Sequence, residues 1–358
     1  DRPDGGPSPD LDQPFDLARP PLLRLELTRL SPERHQLRVV VHHIITDGSS
    51  HAIFLRELLA LYAGRELPPL RLRYVDYAVW QGQARAQGWL ANQEAYWRER
   101  FATPPRPLEL PTDFPRPRVQ GFSGQSQRLA LDPELTAGLR GLQAASGATT
   151  YTTLLALLAV VVSQYSGQDD LVIGAPVSGR TQPGLEGIIG MFVNLVALRC
   201  RREPELGFAE FLARLSQDAF AAFANQDYPF EDLVSQLGLQ GGLDRHPLFS
   251  VLCVLQNLGE TQAADGGLTC RLQEAVAVRT HFDLTLIAVE TPRTIDLSLV
   301  YSPQLFRPET IAAMVQRLLA IARQAVSDPN RTLAELGLAD GARGVIAPAA
   351  AEEGDFGF

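Results

Sequence analysis

Cysteine is scarce in this chain of 358 residues: only Cys200, Cys253 and Cys270, scattered through its second half. That number and spacing exclude a disulfide framework and a cysteine-based zinc site, so small core residues in a reducing compartment are expected. Basic charge is also short. Lys and Arg total 32 against 41 Asp and Glu, a net charge of -9. With no basic cluster interleaved with aromatics, a nucleic-acid groove is excluded. No apolar run reaches the length of a membrane span; the longest, Tyr151 to Val162, suits a buried helix. A basic leader is missing too. Asp1 to Pro14 is acidic and rich in Pro and Gly, has no initiator Met, and reads as a loop inside a longer protein, so an upstream segment is expected. These features together predict a cytoplasmic chain that binds neither membrane nor nucleic acid.

What is present suffices for a sizeable core. With 45% hydrophobic residues, the length fits one large domain or two ordinary ones. Leu22–Leu30 and His35–His43 read as paired strands about the turn Ser31-Pro32-Glu33. The two-residue period of the second strand places Leu37, Val39, Val41 and His43 on one face and His42 on the other. Ser49 or Ser50 then caps a helix carrying Ile53, Phe54, Leu58 and Leu61, and a polar, aromatic-studded helix runs from about Tyr74 to Phe101. Six prolines between Pro104 and Pro117 forbid helix or central strand, which makes 104–117 the expected linker between 1–103 and 118–340. Strands and helices alternate again beyond it, including a strand from Met191 to Arg199, before a loose tail over 341–358. The fold class is α/β with two lobes.

The chemistry concentrates in His42-His43-Ile44-Ile45-Thr46-Asp47-Gly48. A neutral imidazole at the end of an apolar strand can accept a proton near neutral pH. Spacing alone leaves a rim histidine and a catalytic one both open. Adjacent strand histidines diverge and match no zinc helix motif, so no metal is expected.

That run resembles the HHxxxDG motif of the condensation domains of non-ribosomal peptide synthetases. The resemblance continues in order through Pro14-Phe15-Asp16-Leu17, Tyr74-Val75-Asp76-Tyr77, Gly190-Met191-Phe192-Val193-Asn194, Asn225 to Glu231 and Asp244-Arg245-His246-Pro247-Leu248. It implies two chloramphenicol-acetyltransferase-like lobes around a central tunnel, and an acyltransferase that forms amide bonds between two carrier-bound thioesters. It makes His43 the catalytic residue, acting as base or placing the amine. Asp47 becomes the ion-pair partner of Arg180 in the Gly179-Arg180 step, and His42 orients the loop. Gly48 becomes a bare position in the tunnel that also serves the turn, with Ser49 and Asn257 as possible tunnel-lining residues. The domain itself would bind no cofactor. Its substrates would arrive on the 4'-phosphopantetheine arms of donor and acceptor carrier proteins, beside an adenylation domain, with the domain monomeric within a synthetase. The family's first motif is absent, so the N-terminal lobe is expected to be truncated; Leu195 and Ser49 depart from the residues many relatives carry there. An epimerization domain is the alternative, disfavoured because Ser49-Ser50-His51 follows the motif. A non-catalytic docking module of the same fold is a further one, disfavoured because such modules usually degrade the motif.

Overall fold

β1 (Leu23–Ser31) and β2 (Arg34–Val41) pair antiparallel, from Leu23 opposite Val41 to Ser31 opposite Arg34. In the computed structural model, which describes residues 11, 13–239, 242–256, 262–265, 267–271 and 279–337, β2 stops at Val41. The alternation expected to reach His43 therefore ends two residues before it, and His43–Ile45 forms a 3-10 turn. α1 (Gly48–Tyr62) is capped by Asp47 rather than by Ser49 or Ser50: the carboxylate accepts the Ser50 N–H at 2.8 Å. The single helix expected from Tyr74 to Phe101 is two, α2 (Tyr74–Ala86) and α3 (Ala91–Arg100). Gly88, at φ +70°, takes the left-handed conformation that ends α2.

The described residues fall into two compact units, and the expected boundaries shift accordingly. The first takes in residues up to Gly88, Ser178–Val193 and the described residues between 259 and 272; the second holds the rest, from Trp89 onward. The first unit thus ends before the prolines, and the 104–117 segment is a strap within the second unit. Its Leu108 and Leu110 are buried in that unit's core. The Glu109 N–H donates to Gln168 Oε1 at 2.8 Å and the Asp113 N–H to the Leu305 carbonyl at 2.8 Å. Arg116 closes the strap with two bonds to the buried Asp283 carboxylate, at 2.9 and 2.5 Å. Prolines fix φ and remove donors, so the non-proline residues carry the attachment.

The second unit is built on a six-stranded sheet of order β3-β10-β9-β6-β4-β5, comprising β3 (Gln125–Ala130), β4 (Asp170–Val177), β5 (Asn194–Arg201), β6 (Val251–Gln256), β9 (Leu284–Glu290) and β10 (Ile295–Tyr301). β6 runs parallel to β4 and β9, while the other pairs are antiparallel. β7 (Gln262–Asp265) and β8 (Leu268–Arg271) form a separate hairpin within the first unit. Besides α3, the helices of the second unit are α4 (Pro133–Ser146), α5 (Thr150–Ser166), α6 (Phe208–Ala224), α7 (Phe230–Gln236) and α8 (Pro308–Ser327). α5 is the longest apolar run of the sequence. It is apolar all round and accordingly buried from Thr152 to Ser163, between a Thr149 capping box and the left-handed Gly167. Among the described residues no single helix is long and apolar enough to cross a membrane. Cys200 and Cys253 are buried in this sheet, and burial pushes both thiols up, Cys253 to about 12, which makes them unreactive packing groups.

β5 begins at Asn194, three residues later than expected. The preceding Gly190 and Phe192 N–H groups are turned away from the sheet ladder and donate to Ser50 and Asp47 in the first unit. Asn194 secures the start of β5 by donating to the Gln226 and Tyr228 carbonyls, each at 2.8 Å, and accepting the Phe230 N–H at 3.1 Å.

His246 lies among Phe249, Phe230 and Phe282, with centroids 4.5, 5.1 and 5.2 Å away. Burial lowers its pKa to about 4; a backbone hydrogen bond at Phe249 opposes the shift, and His281 adds to it. An unfolded histidine takes a proton near pH 6.5, so stability is full above that value and drains as pH falls toward 4. The full window is worth about 3 kcal/mol. The urea midpoint should fall between pH 7 and 4.5, and His246→Leu should flatten that fall. An equally steep fall in the variant would locate the titration elsewhere.

Candidate active site

The two histidines after β2 are used differently. His42 keeps an extended backbone, and its Nδ1 accepts the Ile44 N–H at 3.1 Å, capping the 3-10 turn. Its ring meets Phe15 edge-on, and Arg24 lies over that Phe15 ring while donating to the Gln13 and Pro14 carbonyls. The His42 ring is thereby tied to β1 and to residues 13–15 before it. His43 Nδ1 lies 2.8 Å from the Thr46 carbonyl oxygen. A carbonyl only accepts, so the neutral ring holds its hydrogen on Nδ1 and presents a lone pair on Nε2. The His43 side chain is exposed. Strand parity does not separate the two rings, since neither histidine lies in the strand. The 3-10 turn separates them, because it occupies the Nδ1 of His42 as a cap acceptor.

Asp47, only 1% exposed, is the anchor of the turn. Its carboxylate accepts the Ser50 N–H at 2.8 Å, the Ser50 hydroxyl at 2.7 Å, Arg180 Nη2 at 2.9 and 3.1 Å, and the Phe192 N–H at 3.1 Å. Burial alone would raise its pKa, but the bonds from Ser50, Arg180 and Phe192 outweigh it and hold the carboxyl below its ordinary range. The Asp47–Arg180 pair implied by the family resemblance is present, across 133 residues of sequence. The other Arg180 amino group, Nη1, donates to the Leu185 and Ile188 carbonyls at 2.6 and 2.7 Å, and the guanidinium lies 4.1 Å from the Phe192 ring centroid. Gly179, at φ +62°, lets this loop close: a Cβ there would stand 1.8 Å from the Phe192 carbonyl oxygen.

Three participants were not singled out as site residues in the sequence. Ser50 was read only as a possible cap. Phe192 and Tyr74 enter there only as members of the matching motifs. The Tyr74 hydroxyl donates to the Met191 carbonyl at 2.8 Å, and its ring packs edge-on against Phe192 at 5.1 Å. Burial and the nearby Asp47 charge both raise the Tyr74 pKa, which keeps it a donor. Tyr74 thus closes the 190–192 segment over Asp47. The one sequence signal for Ser50 was its place three residues after Asp47, the position whose N–H a cap residue receives.

Gly48 opens α1 without a left-handed φ, and a Cβ there would have nothing within 4 Å among the described residues. Neither turn geometry nor packing requires glycine, so the turn role expected for it drops out. Ser49 is exposed beside it. Asn257 lies outside the described residues. Among the described residues no three His, Cys, Asp or Glu side chains converge as a metal site would need.

The family model for the condensation domain matches residues 8–343. This chain belongs to that family. Its relatives include synthases of gramicidin S, tyrocidine and surfactin. The domain is 42% identical over 326 residues to Gramicidin S synthase 2 of Brevibacillus brevis, and 40% identical over 321 residues to Surfactin synthase subunit 1 of Bacillus subtilis (strain 168). Each match covers 90% of this chain, but only 7% and 9% of those proteins' lengths. The condensation domain also superposes on the X-domain from teicoplanin biosynthesis with a TM-score of 0.85 at 31% identity, covering 91% of this chain and 77% of that one. For the first condensation domain of the calcium-dependent antibiotic synthetase in complex with a substrate analogue, the TM-score is 0.73 at 25% identity, covering 91% and 72%.

Proposed function

We propose that this condensation domain forms an amide bond between a donor acyl or aminoacyl thioester and the amine of an acceptor aminoacyl thioester. Both substrates would be carried on phosphopantetheine arms of carrier proteins, with an adenylation domain as neighbour in the synthetase. The amine nitrogen attacks the thioester carbonyl and the amine proton passes to His43 Nε2. The C–S bond breaks, and His43 hands the proton on to the sulfur, so that the donor arm leaves as thiol and the imidazole is neutral again. The reading rests on one observation above all: the HHxxxDG turn is held on a saturated Asp47 carboxylate, with His43 in the tautomer that leaves Nε2 free to accept. A base placed this way contributes about 10²- to 10⁴-fold.

The test loads donor and acceptor carrier proteins with aminoacyl groups, adds the domain, and follows dipeptidyl thioester by mass spectrometry. Product dependent on the domain is expected. Unchanged carriers across several amino acids would remove the proposal, and solvent deuterium at the α-carbon without peptide would mark an epimerase.

One observation favours a second reading, a binding module. The teicoplanin X-domain is also solved in complex with a second protein, and that copy matches this chain with a TM-score of 0.83 at 30% identity. Gly48→Ala helps separate the two. A methyl group at this first helical position should leave the melting temperature unchanged or slightly higher, since Ala is better than Gly in a helix by about 1 kcal/mol. On the amide-forming reading, the same methyl intrudes where the substrate must approach His43, and product formation falls by about tenfold or more. A Gly48→Ala domain with undiminished turnover would end that account of the open space.

A further inference from the structure

Ser50 has more partners than a helix cap needs. Its hydroxyl lies 2.7 Å from Asp47 Oδ1, 3.0 Å from the Gly190 carbonyl oxygen, 3.1 Å from the Gly190 nitrogen and 3.1 Å from Arg180 Nη2. The residue is 1% exposed, so water does not substitute for these partners. A hydroxyl has one hydrogen to give and two lone pairs to fill. The Gly190 N–H and Arg180 Nη2 fill the lone pairs, and the hydrogen goes to the nearer, charged acceptor, Asp47. One oxygen thereby joins three stretches of chain: the turn after β2, the Gly179-Arg180 step and the 190–192 segment.

The consequence reaches His43. Thr46, whose carbonyl holds the His43 Nδ1 hydrogen, is the residue bonded directly to Asp47. We propose that Ser50 is a positioning residue for His43: by saturating Asp47 and tying it to Gly190 and Arg180, it keeps the Thr46 carbonyl aimed at Nδ1 and so holds the ring in the tautomer with a free Nε2. Arg180 and the Ser50 and Phe192 N–H groups give the Asp47 carboxylate its direction. The Ser50 hydroxyl adds the bond that ties that carboxylate, through one oxygen, to the Gly190 backbone and to Arg180. The inference deepens the amide-forming reading and rests on it for its rate measurement alone.

Ser50→Ala in the 358-residue chain removes the hydroxyl and leaves the Gly190 N–H unpartnered. Three quantities are read: melting temperature, single-turnover amide formation at varied acceptor concentration, and the side-chain 15N spectrum of labelled histidine. The His43 signals are assigned by their loss in His43→Ala. The expected result is a mixed His43 tautomer population, with the rate at saturating acceptor falling about tenfold and acceptor KM changing less than about twofold. Ser50→Cys, close in size with a weaker donor, should fall between wild type and Ser50→Ala, and it supplies the spectrum if Ser50→Ala does not fold. Were the folded variants to melt earlier yet keep the wild-type His43 spectrum and saturating rate, Ser50 would be a helix cap only and the proposal overturned. Should wild type make no amide, the 15N spectra still decide the role of Ser50, and the failure belongs to the proposed activity.

Discussion

His43→Ala should lower dipeptidyl-thioester formation by about 10²- to 10⁴-fold while leaving the melting temperature nearly unchanged. The separation of the two effects follows from how the side chain is held. His43 is exposed and hydrogen-bonded through Nδ1 to the Thr46 carbonyl. Removing the ring empties no core cavity and strands no charge, so the usual causes of large destabilisation are missing. The loss of rate instead reflects the absence of a proton acceptor at the attacking amine. His43→Gln keeps a polar group of similar reach without an imidazole lone pair. Turnover near wild type in His43→Gln would mean that placing the amine, rather than taking its proton, is the contribution of this position.

Asp47→Ala should do the reverse in emphasis, with a large loss of stability accompanied by loss of activity. Arg180, 7% exposed, would keep its two backbone acceptors but lose its counter-ion, while the Phe192 and Ser50 N–H groups lose their acceptor. Breaking a buried pair from one side costs about 3–5 kcal/mol, which in a chain of 358 residues corresponds to a fall of about 5 °C in melting temperature. The direction of the Asp47 pKa agrees with this. A carboxyl held below its ordinary range contributes stability that is present above that range and lost as pH falls through it, a window lying below the one that belongs to His246. Arg180→Ala should cost a similar amount. The double variant should cost less than the sum of the two, because each single change already strands the other partner. Wild-type melting in Asp47→Ala, with activity retained, would refute the account of the turn given above.

Much of this site is legible in the sequence. The HHxxxDG run and the residues of the 190–194 segment stand out in one dimension, their order with the other motifs identifies the family, and the resemblance then points to the Gly179-Arg180 step. The hairpin and the buried α5 were equally readable, because local periodicity and caps determine them: alternation in β1 and β2, and an apolar run between Thr149 and Gly167 for α5. Where expectation failed, a distant partner had taken over a local group. β5 starts late because the Phe192 N–H is donated to Asp47 instead of to a neighbouring strand. The proline segment is a strap because Arg116 meets Asp283, 167 residues onward. Asp47 caps α1 and pairs with Arg180 through the same carboxylate, and Ser50 serves both tasks.

From its residue types and their order, the sequence by itself determined the family, the β1–β2 hairpin and α5, and the family resemblance in turn named the Asp47–Arg180 pair. Tertiary structure alone decided which imidazole nitrogen of His43 is left free and that Ser50 joins three segments. It also decided that Gly48 is bare for neither turn geometry nor packing. Such features depend on hydrogen-bond directions and on the space around a single atom. For Ser50 those are set by contacts between segments more than a hundred residues apart, and for His43 by the direction of a backbone carbonyl three residues on, and residue types alone encode neither.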